Sequence, residues 1–297
     1  MNKSNLSPFS FGWLSVIIVI VTYLVGGGLI MMVAADSIST VTGKIEISSR
    51  NFLLSVAIGQ ILFMLLPALF IAQIHPLGTV EALRIRAPKV SHVIMIVLGI
   101  AACYFLSEAW ITAQELYMIP DALRPMYEEA KGETSWITEK LIVGKDIPML
   151  ILAFFSVAIV PACSEEVLFR GIAQRSFEDR LKPFAAIMIT GLLFGLIHME
   201  PTNIVPLIGL GLFFGFMAWA SRSIWPVIIG HMLFNGTQVL LVNLHPELPL
   251  LQQEMKNSPV PEDLTALLPV AAVALLIMVG IIIWMRKDRL QSLSEDV

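Results

Sequence analysis

Long apolar runs separated by short polar segments dominate the chain. A membrane-spanning helix needs about 20 mostly apolar residues, and by that criterion the pattern predicts about eight spans. The predicted spans run approximately over 11–34, 52–73, 92–111, 147–175, 184–200, 203–220, 224–243 and 265–285. The fourth span turns polar in its last third, and only the tight turn 200–202 separates the short fifth and sixth spans. The predicted fold class is an all-α polytopic membrane protein.

Composition supports this prediction. Of the 297 residues, 57% are hydrophobic and 14% are charged, whereas soluble domains carry about 25% charged residues. The net charge is −4 and no basic run indicates a nucleic-acid surface.

Cys103 and Cys163 lie in apolar stretches without a CxxC pair, so we expect buried structural thiols. The first apolar run is longer than the roughly 7–15 residues of a signal-peptide core, so we expect it to be retained.

The spans predict three regions and one orientation. Residues 1–146 hold the first three spans and an outer loop, residues 147–243 hold spans four to seven, and residues 244–297 hold the last span and a tail. With both termini in the cytoplasm, twelve of the 19 Lys and Arg residues face the cytoplasm and seven face the other side. Because positive loops favour the cytoplasmic side, we predict an integral protein of the cell membrane with cytoplasmic termini.

Several polar side chains fall inside the predicted spans. Each charge near the bilayer centre costs about 2.5–3.5 kcal/mol, so such residues indicate functional sites. They lie in spans four, five and seven and are Glu165, Glu166, Arg170, His198, His231 and Asn235.

Helical spacing sorts these residues. Glu166 and Arg170 are four positions apart and can form a pair, whereas Glu165 is rotated by about 100° and points elsewhere. His231 and Asn235 share a helix face in the same way, and the spacing recurs between a phenylalanine at position 194 and the histidine at position 198.

Depth brings the polar residues together. If span four leaves the membrane near Arg175 and span five enters it near Ile187, Glu165 and His198 lie about 15 and 16 Å below the same membrane surface. The imidazole and amide of span seven lie about 10 and 16 Å below it. The four side chains are therefore predicted to meet at one level, reached from the cytoplasm.

This set of groups suits hydrolysis by water. A glutamate can act as general base toward water, and a histidine can hold that water or share its proton. A second histidine and an asparagine amide can donate hydrogen bonds to an oxyanion. Ser164 and Cys163 adjoin the motif, but no base is assigned to either, so covalent catalysis is not favoured.

Two functions of other classes compete with this interpretation. A proton- or ion-coupled transporter would use Glu165 and the histidines as a relay, and inverted repeats would favour it; the sequence contains none that we recognise. The other is a non-catalytic immunity or scaffold protein of the membrane.

Three motifs resemble those of a known family. Residues 165–170 (EEVLFR) match the EExxxR signature of the CAAX protease and bacteriocin-processing (CPBP) family of intramembrane endopeptidases. Residues 194–198 (FGLIH) are similar to its FxxxH motif, and residues 231–235 (HMLFN) to its HxxxN motif. The motifs occur in the family's order.

The resemblance implies an intramembrane endopeptidase related to the type II CAAX prenyl endopeptidase. Its substrates would be membrane-anchored or prenylated proteins, or peptides. The protein would lie in the lipid bilayer and would bind no nucleic acid. The carried-over catalytic residues would be Glu165, His198, His231 and Asn235, and the supporting residues Glu166, Arg170 and Phe194.

The resemblance leaves the metal question open. The family is commonly labelled metalloprotease, and Glu165, His198 and His231 would furnish a three-ligand zinc site. In that case the oxyanion role would fall mainly to Asn235. The sequence contains no HExxH motif, and a glutamate-activated water needs no metal. The preferred prediction is therefore that no cofactor is required, with zinc as the alternative.

Overall fold

The computed structural model describes residues 4–38, 45–142, 146–244 and 264–295. These residues form a bundle of helices with one pair of two-residue strands. The helices are α1 (Pro8–Ala34), α2 (Ser49–Gln73), α3 (Thr79–Ala82), α4 (Val90–Met118), α5 (Arg124–Ile142), α6 (Ile147–Phe177), α7 (Pro183–Ile197), α8 (Ile204–Ser221), α9 (Trp225–Leu244) and α10 (Leu267–Glu295), and the strands are β1 (Ser37–Ile38) and β2 (Ile45–Glu46).

The predicted all-α membrane architecture is confirmed. Among the described residues, seven helices are long and apolar enough to cross a membrane, namely α1, α2, α4, α6, α8, α9 and α10. The remaining predicted span, the fifth (184–200), corresponds to α7, which has only 15 residues. The two strands pair antiparallel, with Ser37 opposite Glu46. The predicted outer loop 112–146 contains the 19-residue helix α5, and the predicted turn between spans five and six separates α7 from α8.

Prolines inside the spans release carbonyl groups that neighbouring helices then bind. A proline has no N–H to donate to the carbonyl four residues earlier, and in a membrane that carbonyl needs another donor. Pro67 in α2 thus releases the carbonyl of Phe63, which accepts a hydrogen bond from Thr22 Oγ1 of α1 at 3.0 Å. Both this proline and Pro161 in α6 follow π-helical segments, Ile61–Leu65 and Phe154–Ile159.

The α7–α8 hairpin is closely packed through glycines. A Cβ atom on Gly211 would lie 2.9 Å from the carbonyl oxygen of Gly191. Because no larger side chain fits there, these glycines let the two backbones approach and hold the turn between them in place.

Successive spans alternate between two ends of the bundle, which we call the terminal end and the loop end. The terminal end holds the start of α1, the end of α2 and the end of α10. Ser4 N donates to Ile74 O there at 2.9 Å, and Lys89 pairs with Asp288 at 2.7 Å. The loop end holds α5 and the α7–α8 turn, where α4 contacts the turn through Gln114.

Candidate active site

Helix α6 carries a buried ion pair in its second half. Arg170 Nη1 lies 3.2 Å from Glu166 Oε1, and its Nε lies 3.1 Å from Glu166 Oε2. Both side chains are 0% exposed. The pair forms as the four-residue spacing predicted, although a π-helical segment, Val167–Ala173, begins between the two residues.

Further contacts offset the cost of burying Arg170. Its Nη2 donates to the carbonyl of Gly211 on α8 at 3.1 Å. Its Cζ lies 4.4 Å from the ring centroid of Phe194 on α7, which is a cation–π contact. A buried guanidinium needs this number of partners because ion pairing alone repays its desolvation poorly. Arg170 therefore joins α6 to the α7–α8 hairpin.

His231 on α9 lies between the two adjacent glutamates. Its Nδ1 is 2.8 Å from Glu166 Oε1, and its Nε2 is 4.0 Å from Glu165 Oε2. An ionised carboxylate only accepts hydrogen bonds, so Nδ1 carries the proton. The ring stacks on Phe214, with centroids 5.3 Å apart. Glu166 thus orients His231 as well as pairing with Arg170, a role that the spacing alone did not predict.

His198 follows the last residue of α7 and faces Glu165. Its Nδ1 donates to the carbonyl of Phe194 at 2.7 Å, because a carbonyl can only accept. This bond turns Nε2 toward Glu165 Oε2, 3.9 Å away. Helix α7 begins at Pro183, one residue before the predicted start of span five, and His198 directly follows its last residue, Ile197.

Glu165 presents one carboxylate oxygen without a hydrogen bond. The residue is 6% exposed. Its Oε1 accepts from Gln60 Nε2 of α2 at 3.4 Å, whereas no hydrogen-bond donor in the described part of the chain reaches its buried Oε2. Buried polar atoms are nearly always hydrogen-bonded, so an acceptor left open between two imidazoles indicates a place for a reacting group.

The chain contributes Gln60 to this site, which the sequence analysis did not single out. Ser164 Oγ donates to Gln60 Oε1 at 3.0 Å, so the amide is oriented with its nitrogen toward Glu165. Ser164 Oγ also lies 2.8 Å from the carbonyl of Val160, so its one hydrogen is shared between two acceptors, and neither of them is a base. The available signal was that Gln60 is an amide in the middle of an apolar span.

Asn235 is fixed by another carbonyl that a proline releases. Pro161 cannot donate to the carbonyl of Val157, and Asn235 Nδ2 donates to it at 2.9 Å. One amide hydrogen of Asn235 is used in this way, and the side chain lines the same cavity as the two histidines.

A cavity of about 850 Å³ surrounds these groups. It extends from Glu165, His198, His231 and Asn235 to the loop end, where Tyr127 and Lys131 of α5 form part of its wall. Lys131 Nζ bonds to Glu115 Oε1 of α4 at 2.5 Å, so α5 is tied over the cavity.

The cavity extends toward the end of the bundle opposite the termini. It reaches from Glu165 to the loop end. The sequence predicted cytoplasmic termini together with access from the cytoplasm, and this combination stays a prediction.

The three predicted zinc ligands do not fit a metal ion as they are placed. In a tetrahedral site with bonds of about 2.0–2.2 Å, neighbouring ligand atoms lie about 3.3–3.5 Å apart. Glu165 Oε2 is 3.9 Å from His198 Nε2 and 4.0 Å from His231 Nε2. Across residues 4–38, 45–142, 146–244 and 264–295, no group of three or more His, Cys, Asp or Glu side chains could hold a metal ion.

Comparison with known proteins places a family match on the same helices. Residues 147–237 match the family model described as Type II CAAX prenyl endopeptidase Rce1-like. This segment contains all three motifs, so the predicted resemblance is confirmed there.

Two curated proteins are similar over part of their length. The chain is 27% identical over 124 residues to "Putative membrane peptidase YdiL" of Bacillus subtilis (strain 168), which covers 41% of this chain and 49% of that protein. It is 33% identical over 118 residues to "Membrane-embedded CAAX protease MroQ" of Staphylococcus aureus (strain USA300), covering 37% and 46%. The chain thus spans about half the length of these relatives. No solved structure matches the chain significantly.

Proposed function

Because residues 147–237 match the type II CAAX prenyl endopeptidase family, we propose that the chain is an intramembrane endopeptidase that uses water activated by Glu165. The observation that carries the proposal is the open Oε2 of Glu165, buried in the cavity at 3.9 and 4.0 Å from two imidazole nitrogens. A carboxylate that lines a cavity and is largely shielded from bulk solvent suits a general base.

The spacing between Glu165 and the histidines suits a bridging water. A water that donates one hydrogen to each of two acceptors at about 2.8 Å holds them about 4.4 Å apart. The distances from Glu165 Oε2 to the two Nε2 atoms, 3.9 and 4.0 Å, are close to this separation. In the proposal, one water bonds to Glu165 and to His198 and needs no resident metal.

The reaction then proceeds by two proton transfers. Glu165 takes a proton from the water as its oxygen attacks the carbonyl carbon of the scissile peptide bond. The tetrahedral intermediate collapses by breaking the carbon–nitrogen bond, and the proton on Glu165 passes to the departing amine. The products are a carboxylic acid and an amine, and the carboxylate of Glu165 is restored.

The remaining residues stabilise charge in this scheme. His231 holds Nδ1–H against Glu166, so in its protonated form it can donate Nε2–H to the oxyanion. Asn235 would supply the second donor with the amide hydrogen that Val157 does not use. Arg170 neutralises Glu166, and Phe194 packs against both Arg170 and His198.

The substrate that we propose is a membrane-anchored or prenylated protein, or a peptide. The cavity is large enough for an extended peptide segment and lies within the helices that cross the bilayer. Aromatic side chains such as Phe105 and Phe234 line it beside the polar groups, which suits an apolar chain next to a peptide bond. Processing of CAAX sequences, which the name of the Staphylococcus relative states for that protein, is the substrate class to test first.

Comparative proteomics of membranes tests the function. The experiment compares the lengths of membrane proteins among three strains. They express the wild-type chain, the Glu165→Gln variant or the Glu128→Gln control. Glu128 is 53% exposed on α5, outside the cavity. We expect a substrate that is cut with the wild type and the control and uncut with Glu165→Gln. Identical membrane proteomes in all three strains would contradict the proposal.

A further inference from the structure

A second cavity, of about 290 Å³, lies at the terminal end of the bundle. Its walls come from α3 and the segment after it, from α6 and from the ends of α8 and α10. The charged residues that line it are Glu81, Arg84, Arg86, Arg175, Glu178, Arg222 and Arg289. None of them belongs to the catalytic site proposed above, and we call this space the arginine cavity.

Positive charge exceeds negative charge in the arginine cavity. Five arginines and two glutamates line it, which leaves three positive charges in excess. Glu81 Oε1 lies 3.0 Å from Arg175 Nη2, and Glu81 Oε2 lies 3.2 Å from Arg86 Nη2. The two carboxylates therefore cannot neutralise all the cations around them.

Glu81 is ionised in this setting, so its negative charge belongs in the count of charges that line the cavity. Burial alone would raise the pKa of its carboxyl group. The guanidinium groups of Arg175 and Arg86 outweigh that effect and hold the pKa below its ordinary value.

One of the arginines is a buried part of the cavity wall. Arg84 is 6% exposed, and its Nη2 lies 2.6 Å from Glu178 Oε2. Glu178 and Glu81 are thus each engaged by arginines that line the cavity.

Two of the arginines lie where a helix ends. Arg84 has φ 52° just after α3, and Arg222 has φ 56° just after α8. A left-handed residue commonly ends a helix, and here the two chain turns form part of the cavity wall. The preference of positive loops for the cytoplasmic side requires only that charges lie near the bilayer surface. It does not explain why five arginines surround one cavity.

We propose that the arginine cavity binds a phosphate group, either as the head group of an anionic lipid or as a free phosphate. Guanidinium groups bind phosphate oxygens in pairs and do so better than other side chains. Basic pockets between transmembrane helices suit anionic head groups. The volume matches a head group rather than a whole lipid, and the apolar rim formed by Pro183, Trp219 and Leu293 suits the start of an acyl chain.

Native mass spectrometry of the purified full chain in neutral detergent tests this proposal. The probes are phosphatidylglycerol, phosphatidylcholine as a lipid of no net charge, and inorganic phosphate as a competitor. The cavity variant is Arg222→Gln with Arg289→Gln. The matched control is Arg286→Gln with Lys287→Gln, which removes two charges from exposed positions near the same end of α10 without touching the cavity.

We expect the wild type and the control to retain phosphatidylglycerol over phosphatidylcholine, and the cavity variant to bind it at least tenfold more weakly. Competition by inorganic phosphate would identify free phosphate as a ligand, and no competition would identify the lipid head group. Equal binding of phosphatidylglycerol and phosphate by the wild type and the cavity variant would overturn the proposal, as would an equal loss in the control. If the double variant does not fold, Arg86→Gln, at a 48% exposed position on the rim, replaces it in the same comparison.

Discussion

His231 Nδ1 lies 2.8 Å from Glu166 Oε1, inside the bundle. Through this bond the second glutamate of the EExxxR motif orients the imidazole, in addition to balancing Arg170. The bond leaves Nε2 of the imidazole pointing toward the first glutamate, 4.0 Å away. In the proposed scheme the two adjacent carboxylates therefore have different tasks, one in orientation and the other in chemistry.

Replacement of His231 by phenylalanine tests this arrangement. The His231→Phe variant keeps a ring that can stack on Phe214 and loses both nitrogens. We expect kcat to fall by about 100-fold or more, the range seen when an oxyanion donor or an acid–base group is removed. The control is His92→Phe, because His92 is also a buried histidine bonded to a carboxylate, Asp288, but lies at the terminal end. An unchanged kcat in His231→Phe, measured on folded protein, would refute the assigned role.

The Glu166–Arg170 pair is expected to matter for folding. Arg170→Met leaves Glu166 as an uncompensated buried charge, which costs about 3–5 kcal/mol. We expect less folded protein after purification and a lower Tm, and partial rescue when Glu166→Gln is added. Arg86→Gln breaks an exposed pair and should change stability by no more than about 1 kcal/mol. A Tm for Arg170→Met equal to that of Arg86→Gln would contradict this role of the pair.

Metal content separates the two versions of the chemistry. The distances from Glu165 Oε2 to the two imidazole nitrogens, 3.9 and 4.0 Å, exceed those of a tetrahedral zinc site, so we expect no stoichiometric zinc in the active protein. Cleavage should then survive a strong chelator, measured beside elemental analysis of the same sample. The metal-free scheme would be disproved if the protein binds one zinc per chain, loses cleavage when the zinc is removed and regains it when the zinc is returned.

The sidedness of the cavity can be measured by cysteine labelling. In a background with Cys103→Ala and Cys163→Ala, Thr134→Cys introduces a thiol into the cavity wall at the loop end. Ser294→Cys places one near the end of α10. With an impermeant maleimide on intact cells, we expect labelling at position 134, and labelling at position 294 only after the membrane is opened. Labelling of both positions from the same side would contradict the placement of the cavity opposite the termini.

Much of the site followed from spacing along single helices. The Glu166–Arg170 pair requires only that both residues lie on one helix face. The pair forms in spite of the π-helical segment because long side chains tolerate a change of helical pitch. The α7–α8 hairpin followed from two short apolar runs and a proline-containing turn. These features depend on neighbours within about four residues, which a sequence displays directly.

Features that join distant segments did not follow from the sequence. Gln60 lies 105 positions before Glu165, and no local pattern connects them. The ring nitrogens of His198 and His231 come within 4.0 Å of Glu165 although the three residues lie on or directly after three different helices. Helix α5 was expected only as part of an outer loop, yet its Tyr127 and Lys131 line the cavity, because tertiary contacts with α4 place it there.

Cleavage by purified protein in lipid vesicles tests the central claim most directly. The wild type, Glu165→Gln and Glu128→Gln would be reconstituted with a substrate found by proteomics, and helical content would be compared by circular dichroism. We predict cleavage by the wild type and by Glu128→Gln, and a loss of at least 100-fold in Glu165→Gln at equal helical content. Cleavage by folded Glu165→Gln at the wild-type rate would contradict the assignment of Glu165 as the base.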